Sequence, residues 1–153
     1  MSSLINTFAK GRFIEKCMLL TGADSILIIP VKSMGAATDA SLQDCANLAA
    51  IFTAGAVEAD FTGYSRKVWG PSDVVVTFNT TSNAGIATFP NAAVWNPAGG
   101  AVNNNIIKVV IAWRPTSGTA DSGCLVLATQ DYTATAGGGS LTLNVSALTA
   151  GGS

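Results

Sequence analysis

The segment VEADF holds two carboxylates, Glu58 and Asp60, at a spacing that could support chemistry. They are two residues apart, so in a strand both side chains point to the same side. Paired carboxylates serve as acid and base in glycoside hydrolysis, and they also bind calcium. The same spacing is typical of a solvated strand edge, which is the interpretation we prefer. A hydrolase that uses Glu58 and Asp60 stays open as an alternative.

Other catalytic arrangements lack their residues. The sequence contains no His, so neither a Ser-His-Asp nor a Cys-His centre can be built. Its three cysteines are far apart and form no CxxC pair, which indicates small buried side chains rather than a zinc site. The glycine-rich segment TAGGGS has neither the GxGxxG nor the GK[ST] pattern of phosphate-binding loops. We therefore predict no enzyme activity, no catalytic, cofactor-binding or metal-binding residue, and no cofactor.

The composition favours a subunit of an assembly. Charged residues make up 11% of the chain and hydrophobic residues 48%, whereas soluble domains average about 25% charged residues. A surface with so few charges is typical of a protein that buries part of it against partners. The eight Lys and Arg residues are scattered and the net charge is -1, so nucleic acid is not expected as a partner. The longest apolar run, ILIIPV, is too short to span a membrane, and the N-terminus lacks the pattern of a signal peptide.

The stretch FTGYSRKVWG places two basic residues among aromatic ones. Arg66 and Lys67 follow Phe61 and Tyr64 and precede Trp69, a pattern found in nucleic-acid sites, sugar sites and the rims of β-sheets. The charge balance argues against nucleic acid. We expect both residues at a strand end, with their stems packed over the aromatic rings. Our hypothesis is that their charged ends face an acidic patch on a neighbouring chain.

The three tryptophans allow a sugar-binding alternative. Trp113 falls on the apolar face of its strand, so we predict that it lies in the core. Trp69 and Trp95 stand in more open sequence and are predicted to be more exposed. Exposed aromatic faces can stack on sugars, although on β-domains they more often anchor interfaces.

One strand and one helix are predicted in the first third of the chain. The segment SILIIPV predicts a strand buried on both faces, which ends, bulges or lies at a sheet edge at Pro30. Ser41 and Asp44 form a capping-box pattern that predicts an amphipathic helix over about 41–53, with Gly55 as its stop. Its predicted apolar face consists of Leu42, Cys45, Leu48, Ala49 and Phe52.

From residue 56 onward the pattern predicts strands. The segment DVVVTFNTTSNAGIATFP indicates a hairpin with an Asn/Gly turn, and GCLVLATQDY a further strand. In IIKVVIAWRP the alternation puts Ile107, Val109, Ile111 and Trp113 on one face and Lys108 and Arg114 on the other. The segment SLTLNVSAL predicts that Leu141, Leu143 and Val145 point inward. The predicted fold is mainly β: one domain over 1–153, an antiparallel β-sandwich or jelly-roll-like barrel with one helix, and 1–20 as an N-terminal arm.

An ordered series of segments resembles a known family. The series comprises AKGRFIE, SILIIPVKSMG, ASLQDCANLAAIF, EADFTGYSRK, AVWNPAGGAVNN, KVVIAWRP and TQDYTATAGGG, and it runs from about Ala9 to Leu143. The most specific elements are FTGYSRK and the Trp-Asn-Pro-Ala-Gly-Gly loop. In their order and spacing they are similar to the small virion structural proteins of tailed bacteriophages, in the capsid decoration or cement group.

The resemblance implies a protein without catalytic activity that binds the major capsid protein and stabilises the shell, often as a homotrimer. It implies a place on the capsid surface of the virion after synthesis in the bacterial host cytoplasm. A tail-tube or tail-associated structural protein and a virion-surface carbohydrate-binding module stay open as alternatives. The N-terminal arm is expected to reach a neighbouring chain. The candidate contact residues are Lys10, Arg12, Phe13, Tyr64, Arg66, Lys67, Trp69 and Trp95.

Overall fold

A computed structural model describes residues 3–9 and 12–151 of the chain. The α-helices are α1 (Phe13–Met18), α2 (Asp39–Gln43) and α3 (Leu48–Thr53), and short 3-10 turns lie at Thr7–Ala9, Pro71–Asp73 and Asp121–Gly123. The strands are β1 (Ser3–Ile5), β2 (Ser25–Ser33), β3 (Val57–Glu58), β4 (Lys67–Trp69), β5 (Val75–Asn79), β6 (Ala84–Thr88), β7 (Ala93–Trp95), β8 (Asn104–Arg114), β9 (Leu125–Ala136), β10 (Leu141–Leu143) and β11 (Leu148–Gly151).

The main sheet is built around β2 and two long C-terminal strands. Its order is β1-β9-β8-β2-β3, and β4 pairs with β2 beside β3, all antiparallel. β8 and β9 are the longest strands, and they connect the N-terminal strand β1 to β2 across the sheet. The predicted strand SILIIPV is confirmed, since all seven of its residues are buried within β2.

Both faces of the main sheet are covered. On one face Leu27 and Ile29 of β2 pack with the apolar residues of α2 and α3, including Leu42, Leu48 and Ile51. On the other face a larger core holds the alternate residues of β2 together with residues from the smaller sheets and α1. The sheet is therefore the middle of three layers, and this explains why β2 is apolar at every position from Ile26 to Val31.

Two smaller sheets cover the second face. One is β11-β6-β5 and the other pairs β10 with β7. The hairpin predicted in DVVVTFNTTSNAGIATFP is β5–β6, and the inward positions predicted for Leu141, Leu143 and Val145 are confirmed by their burial. α1 packs on the face of the β5–β6 hairpin, where Ile14 lies within 2.9 Å of the position that a side chain of Gly85 would occupy.

The predicted fold class is confirmed at the level of a mainly β, antiparallel domain of the sandwich type. It is not a closed barrel, because the main sheet ends in β1 on one side and in β3 and β4 on the other. Each layer buries an apolar face against the next.

Three register shifts interrupt the regular pairing of the main sheet, and the third lies between Ile111 and Ala112 where β8 pairs with β9. The strand does not end at Pro30, since β2 continues to Ser33, and the pairing of β2 with β3 shifts register between Val31 and Ser33, near the bulge that was one of the three predicted outcomes at Pro30. A second shift lies in β8 between Ile106 and Lys108. It places Ile106 in the core with Val109 and Ile111, whereas Ile107 is 39% exposed. The prediction that Ile107 shares the inward face is therefore wrong, because the two steps from Ile106 to Lys108 in β8 are matched by three steps in β9, from Ala134 to Asp131, and this bulge interrupts the regular alternation.

The predicted helix over 41–53 is two short helices. Thr38, not Ser41, is the N-cap of α2; its hydroxyl accepts from the Ser41 amide, and the Ser41 hydroxyl accepts from the Thr38 amide. Asn47 then interrupts the helix in extended conformation, bridges to Leu125 of β9 and caps α3 by accepting from the Ala50 amide. The predicted continuous helix was wrong because tertiary pairing with β9 outweighs local helix propensity.

The described part of the N-terminal segment packs on the domain. β1 extends the edge of the main sheet next to β9, and the buried Asn6 side chain donates to the carbonyl oxygens of Leu42 (3.2 Å) and Cys45 (2.6 Å) at the end of α2. Phe13 and Cys17 of α1 are buried in the larger core. That this segment reaches a neighbouring chain stays a prediction.

Candidate interaction surface

The stretch around Arg66 forms an ion-pair cluster within the chain. The Arg66 guanidinium donates to both Glu58 oxygens, at 2.8 Å from Nε and 2.6 Å from Nη2, and to both Asp121 oxygens. Tyr64 donates its hydroxyl to Glu58. The acidic patch expected on another chain is thus supplied by β3 and the turn before β9. Within the chain, Glu58 and Asp121 already bind the Arg66 guanidinium, and that Arg66 also faces a neighbouring chain stays a prediction.

Electrostatics hold this cluster in its charged form. Hydrogen bonds to Glu58 and then Asp121 raise the pKa of the Arg66 guanidinium above its usual range. The hydrogen bond from Arg66 is the main reason that the pKa of Asp121 is lowered. Burial, followed by the bond to Glu58, raises the pKa of the Tyr64 phenol. Because Arg66 hydrogen-bonds to both carboxylates, it connects its own segment to β3 and to the turn before β9.

The aromatic rings of this region pack inward. Trp95 is 2% exposed, stacks against Tyr64 at 6.3 Å between ring centroids and donates to the Ser65 carbonyl. Trp69 is 5% exposed and stacks against Phe89 at 5.5 Å. The prediction that Trp69 and Trp95 are open is therefore wrong. Their apolar surroundings exclude water, so neither ring presents a face on which a sugar could stack.

The remaining predicted contact residues differ in exposure. Phe13 is fully buried, so it is corrected to a core residue, because its ring fills the space between α1 and the sheets. Arg12 is exposed, and Lys10 lies outside the described residues. Lys67 is half-buried with its ammonium 5.0 Å from the Trp95 ring centroid. Trp113 packs partly buried against the core, and Lys16 covers its ring at 3.9 Å.

Glu58 and Asp60 do not act as a pair. Glu58 is engaged by Arg66 and Tyr64, whereas Asp60 pairs with Lys32 at 2.5 Å and accepts from Asn104 at 3.0 Å. Each carboxylate thus has its own cationic partner. Within residues 3–9 and 12–151, no group of carboxylate and thiol side chains is arranged to hold a metal ion.

A buried lysine was missed by the sequence pattern. Alternation placed Lys108 on a polar face, but its side chain is 5% exposed and pairs with Asp131 of β9 and, at 3.0 Å, with Asp39 of α2. Burial lowers the pKa of this ammonium, but the hydrogen bonds to the two aspartates outweigh it and the net shift is upward. Lys108 therefore links two strands to the helical layer. The signal that could have found it is a lone charge within an otherwise apolar strand.

The charges are confined to part of the fold. Residues 74–107 and 132–153 contain no Asp, Glu, Lys or Arg, and these ranges include every strand of the two smaller sheets. Five large apolar side chains of this charge-free half are substantially exposed: Val75, Phe78, Val94, Val102 and Ile107. Phe78 is the most exposed of them, at 61%. These exposed apolar side chains were not predicted, although the uncharged stretches that contain them are visible in the sequence.

Two depressions flank α1 where it meets β5 and β6. One of about 440 Å³ is bordered by Ile14, Phe78 and Ala150, with Asn79 and Asn83 at its rim. The other, of about 220 Å³, is bordered by Met18, Val74 and Val76. Neither depression is bordered by a carboxylate or ammonium group. The surface of the larger depression is mostly apolar and suits an apolar side chain, whereas the surface of the smaller one is mostly polar.

The helices of the described chain have at most six residues, well below the length that would cross a membrane. No protein-family model matches the chain, and neither does any curated protein or solved structure.

Proposed function

We propose that this chain is a structural protein of a phage virion, a capsid decoration or cement protein without catalytic activity. It binds the major capsid protein, stabilises the shell and assembles as a homotrimer on the capsid surface. The ordered resemblance from about Ala9 to Leu143 supports the virion role. The charge segregation supports an assembly role, and it is the observation that carries the proposal.

The charge-free half is suited to protein contact. The exposed apolar side chains Val94, Val102 and Phe78 lie in strands and loops whose sequence carries no charge, and covering them gains free energy. Solvent-facing surfaces normally mix both signs of charge, and interface cores are depleted of charge. The charged half, by contrast, pairs many of its ions internally, as Arg66 and Lys108 do. The two halves therefore favour different surroundings.

The stabilising mechanism is mechanical. DNA inside a shell pushes the capsid subunits apart, and a protein that bridges their seams must be released before a seam opens. A typical interface of about 1,600 Å², roughly 57% apolar, gives on the order of 20 kcal/mol of gross apolar burial. Association then costs on the order of 4–15 kcal/mol, so each contact is modest by itself. Because the same contact is repeated at every symmetry-related position, the free energy that stabilises the whole shell is many times that of one contact.

The decisive experiment is localisation in purified particles by cryo-electron microscopy. We expect density for the chain on the outer capsid surface at three-fold or quasi-three-fold positions. Particles made without it should release their DNA at lower temperature. Density in the tail, or absence of the chain from finished particles, would contradict the proposal.

A matched pair of variants tests the surface. Val94→Glu and Val102→Glu place a charge on the charge-free half, and each should weaken binding to shells that lack the protein. Ser117→Glu adds the same charge at an exposed loop position between charged segments and should bind as the unmodified chain does. Equal binding by all variants would show that this half does not contact the shell.

A further inference from the structure

β5 is a sheet edge without the usual protection. Among the described strands it pairs with β6 alone, residue by residue from Val75 to Asn79. Natural edge strands are usually guarded by a charge, a proline, a bulge or a covering element. β5 has the sequence Val-Val-Thr-Phe-Asn and a continuous register, so it offers its free backbone groups to another strand.

The two faces of β5 differ. Phe78 pairs with Gly85 and Val76 with Ala87, and α1 packs on this face because Gly85 has no side chain to exclude Ile14. The other face carries Val75, Thr77 and Asn79. Phe78 therefore stands on the α1 side but projects 61% exposed, while Val76 on the same side borders the 220 Å³ depression.

We propose that β5 pairs antiparallel with β5 of a second copy of this chain, with Thr77 at the two-fold axis. This register follows from the strand itself, since full overlap of Val75–Asn79 with its own copy requires its midpoint to face itself. Thr77 then opposes Thr77, and Val76 opposes Phe78 of the partner subunit. Each exposed Phe78 ring is thereby brought beside the other copy's depression between Val76 and Met18.

The second copy fits this edge because both sides are uncharged. An isologous contact brings like against like, so any charge on the edge would oppose itself. Residues 74–107 carry none, and the nearest acid in sequence, Asp73, is engaged by the Gly70 amide and the Asn91 side chain. A two-fold contact is distinct from the three-fold assembly proposed above, and on a shell it would join neighbouring trimers.

Cysteine cross-linking tests the register directly. Opposed Cα atoms in antiparallel strands are about 4.5–5.5 Å apart, within the range that a disulfide spans. The three native cysteines are buried, at 7% exposure or less, so their thiols should not take part in the cross-linking. We expect Thr77→Cys, purified reduced and then treated with diamide, to form a covalent dimer on non-reducing gels. An effective concentration on the order of 1 mM predicts cross-linking roughly 100 times faster than random collision at ~10 µM protein.

Matched variants separate register from collision. Val75→Cys places the two thiols about 13 Å apart in the proposed register, beyond disulfide reach, and should stay monomeric on the gel. A mixture of Val75→Cys and Asn79→Cys should form the mixed dimer, since these positions oppose each other. Thr149→Cys, exposed on the other edge of the same sheet at β11, reports random collision.

A further substitution tests whether burial of the Phe78 ring stabilises the contact between the two copies. Adding Phe78→Ser to Thr77→Cys should slow cross-linking by about tenfold or more, because burial of a phenyl ring no longer supports the contact. Circular dichroism and the melting temperature confirm that each variant is folded. The proposal is overturned if Thr77→Cys cross-links no faster than Thr149→Cys, or if Val75→Cys cross-links equally fast. Failure here leaves the virion localisation to be judged separately, because that experiment does not depend on β5.

Discussion

Replacing Arg66 by Met gives the sharpest test of the ion-pair cluster. Met keeps an unbranched stem beside the Phe52 ring but removes the guanidinium that bonds Glu58 and Asp121. Two carboxylates then remain near each other without their cation. We expect the free energy of unfolding to fall, because both carboxylates lose charge-assisted hydrogen bonds.

The magnitude follows from burial. Breaking a fully buried ion pair costs about 3–5 kcal/mol. The side chains of Arg66, Glu58 and Asp121 are 28%, 22% and 32% exposed, so water can partly replace the lost bonds. We therefore expect a loss of about 2–3 kcal/mol, since exposed pairs contribute only about 0–1 kcal/mol. For a chain of this length that loss corresponds to a fall in melting temperature of roughly 4–12 °C.

Urea denaturation and thermal melting at pH 7 measure the loss. Lys67→Met is the matched control, because the neighbouring cation contacts the Trp95 ring and makes no ion pair among the described residues. It should cost about 0.5–1 kcal/mol. If Arg66→Met costs no more than Lys67→Met, the cluster is screened by solvent and the structural role given to Arg66 is wrong.

Three further outcomes are expected. Because the pKa of Asp121 is lowered in the folded chain, its ion pair with Arg66 stabilises the fold fully above the unfolded pKa of about 3.9, and this contribution is lost as pH falls through the lower folded value. In an acid titration, the free energy of unfolding should therefore fall less in Arg66→Met than in the unmodified chain. Burial raises the pKa of the Cys17 thiol to about 12, so at pH 8 it should react with a thiol reagent on the order of a thousandfold more slowly in the folded than in the denatured chain; equal rates would show that α1 opens freely. Gly85→Ala puts a carbon 2.9 Å from Ile14 and should cost about 1–2 kcal/mol by denaturation, and Ile14→Ala in the same chain should remove most of that added cost; additive losses would contradict the packing described for α1.

Local patterns predicted the strands well where burial is uniform or strictly alternating. β2 is apolar at nearly every position because both of its faces are covered, and Leu141, Leu143 and Val145 alternate because one face of their segment is solvated. A bulge cannot be seen in the hydrophobic pattern, and so Ile107 was wrongly placed on the inward face. Lys108 was placed on the correct face, opposite Val109 and Ile111, but its burial beside Asp39 of α2 was not predicted. The bulge depends on how β8 pairs with β9, which is a property of two distant segments.

The candidate site was harder to predict because its partners are far apart in sequence. The sequence led to the hypothesis that Arg66 faces an acidic patch on a neighbouring chain, and it gave no sign that Glu58 and Asp121 of the same chain bind it. Trp69 and Trp95 looked open because their neighbours in sequence are polar or small, whereas Phe89 and Tyr64 bury them through space. The single predicted helix failed for the same reason, since Asn47 is held by β9.

The pairing of the main sheet has a consequence for how the protein is made. Ser3 pairs with Gln130 and Ile28 with Ile111, so the strands that close the sheet are among the first and the last to leave the ribosome. The nascent chain must hold the apolar β2 uncovered until β8 and β9 have been synthesised. Chains dominated by such distant pairings fold slowly, and until folding is complete they expose apolar segments that are prone to aggregate. Yield during rapid expression should therefore depend on chaperones and on temperature more than the stability of the finished fold alone would indicate.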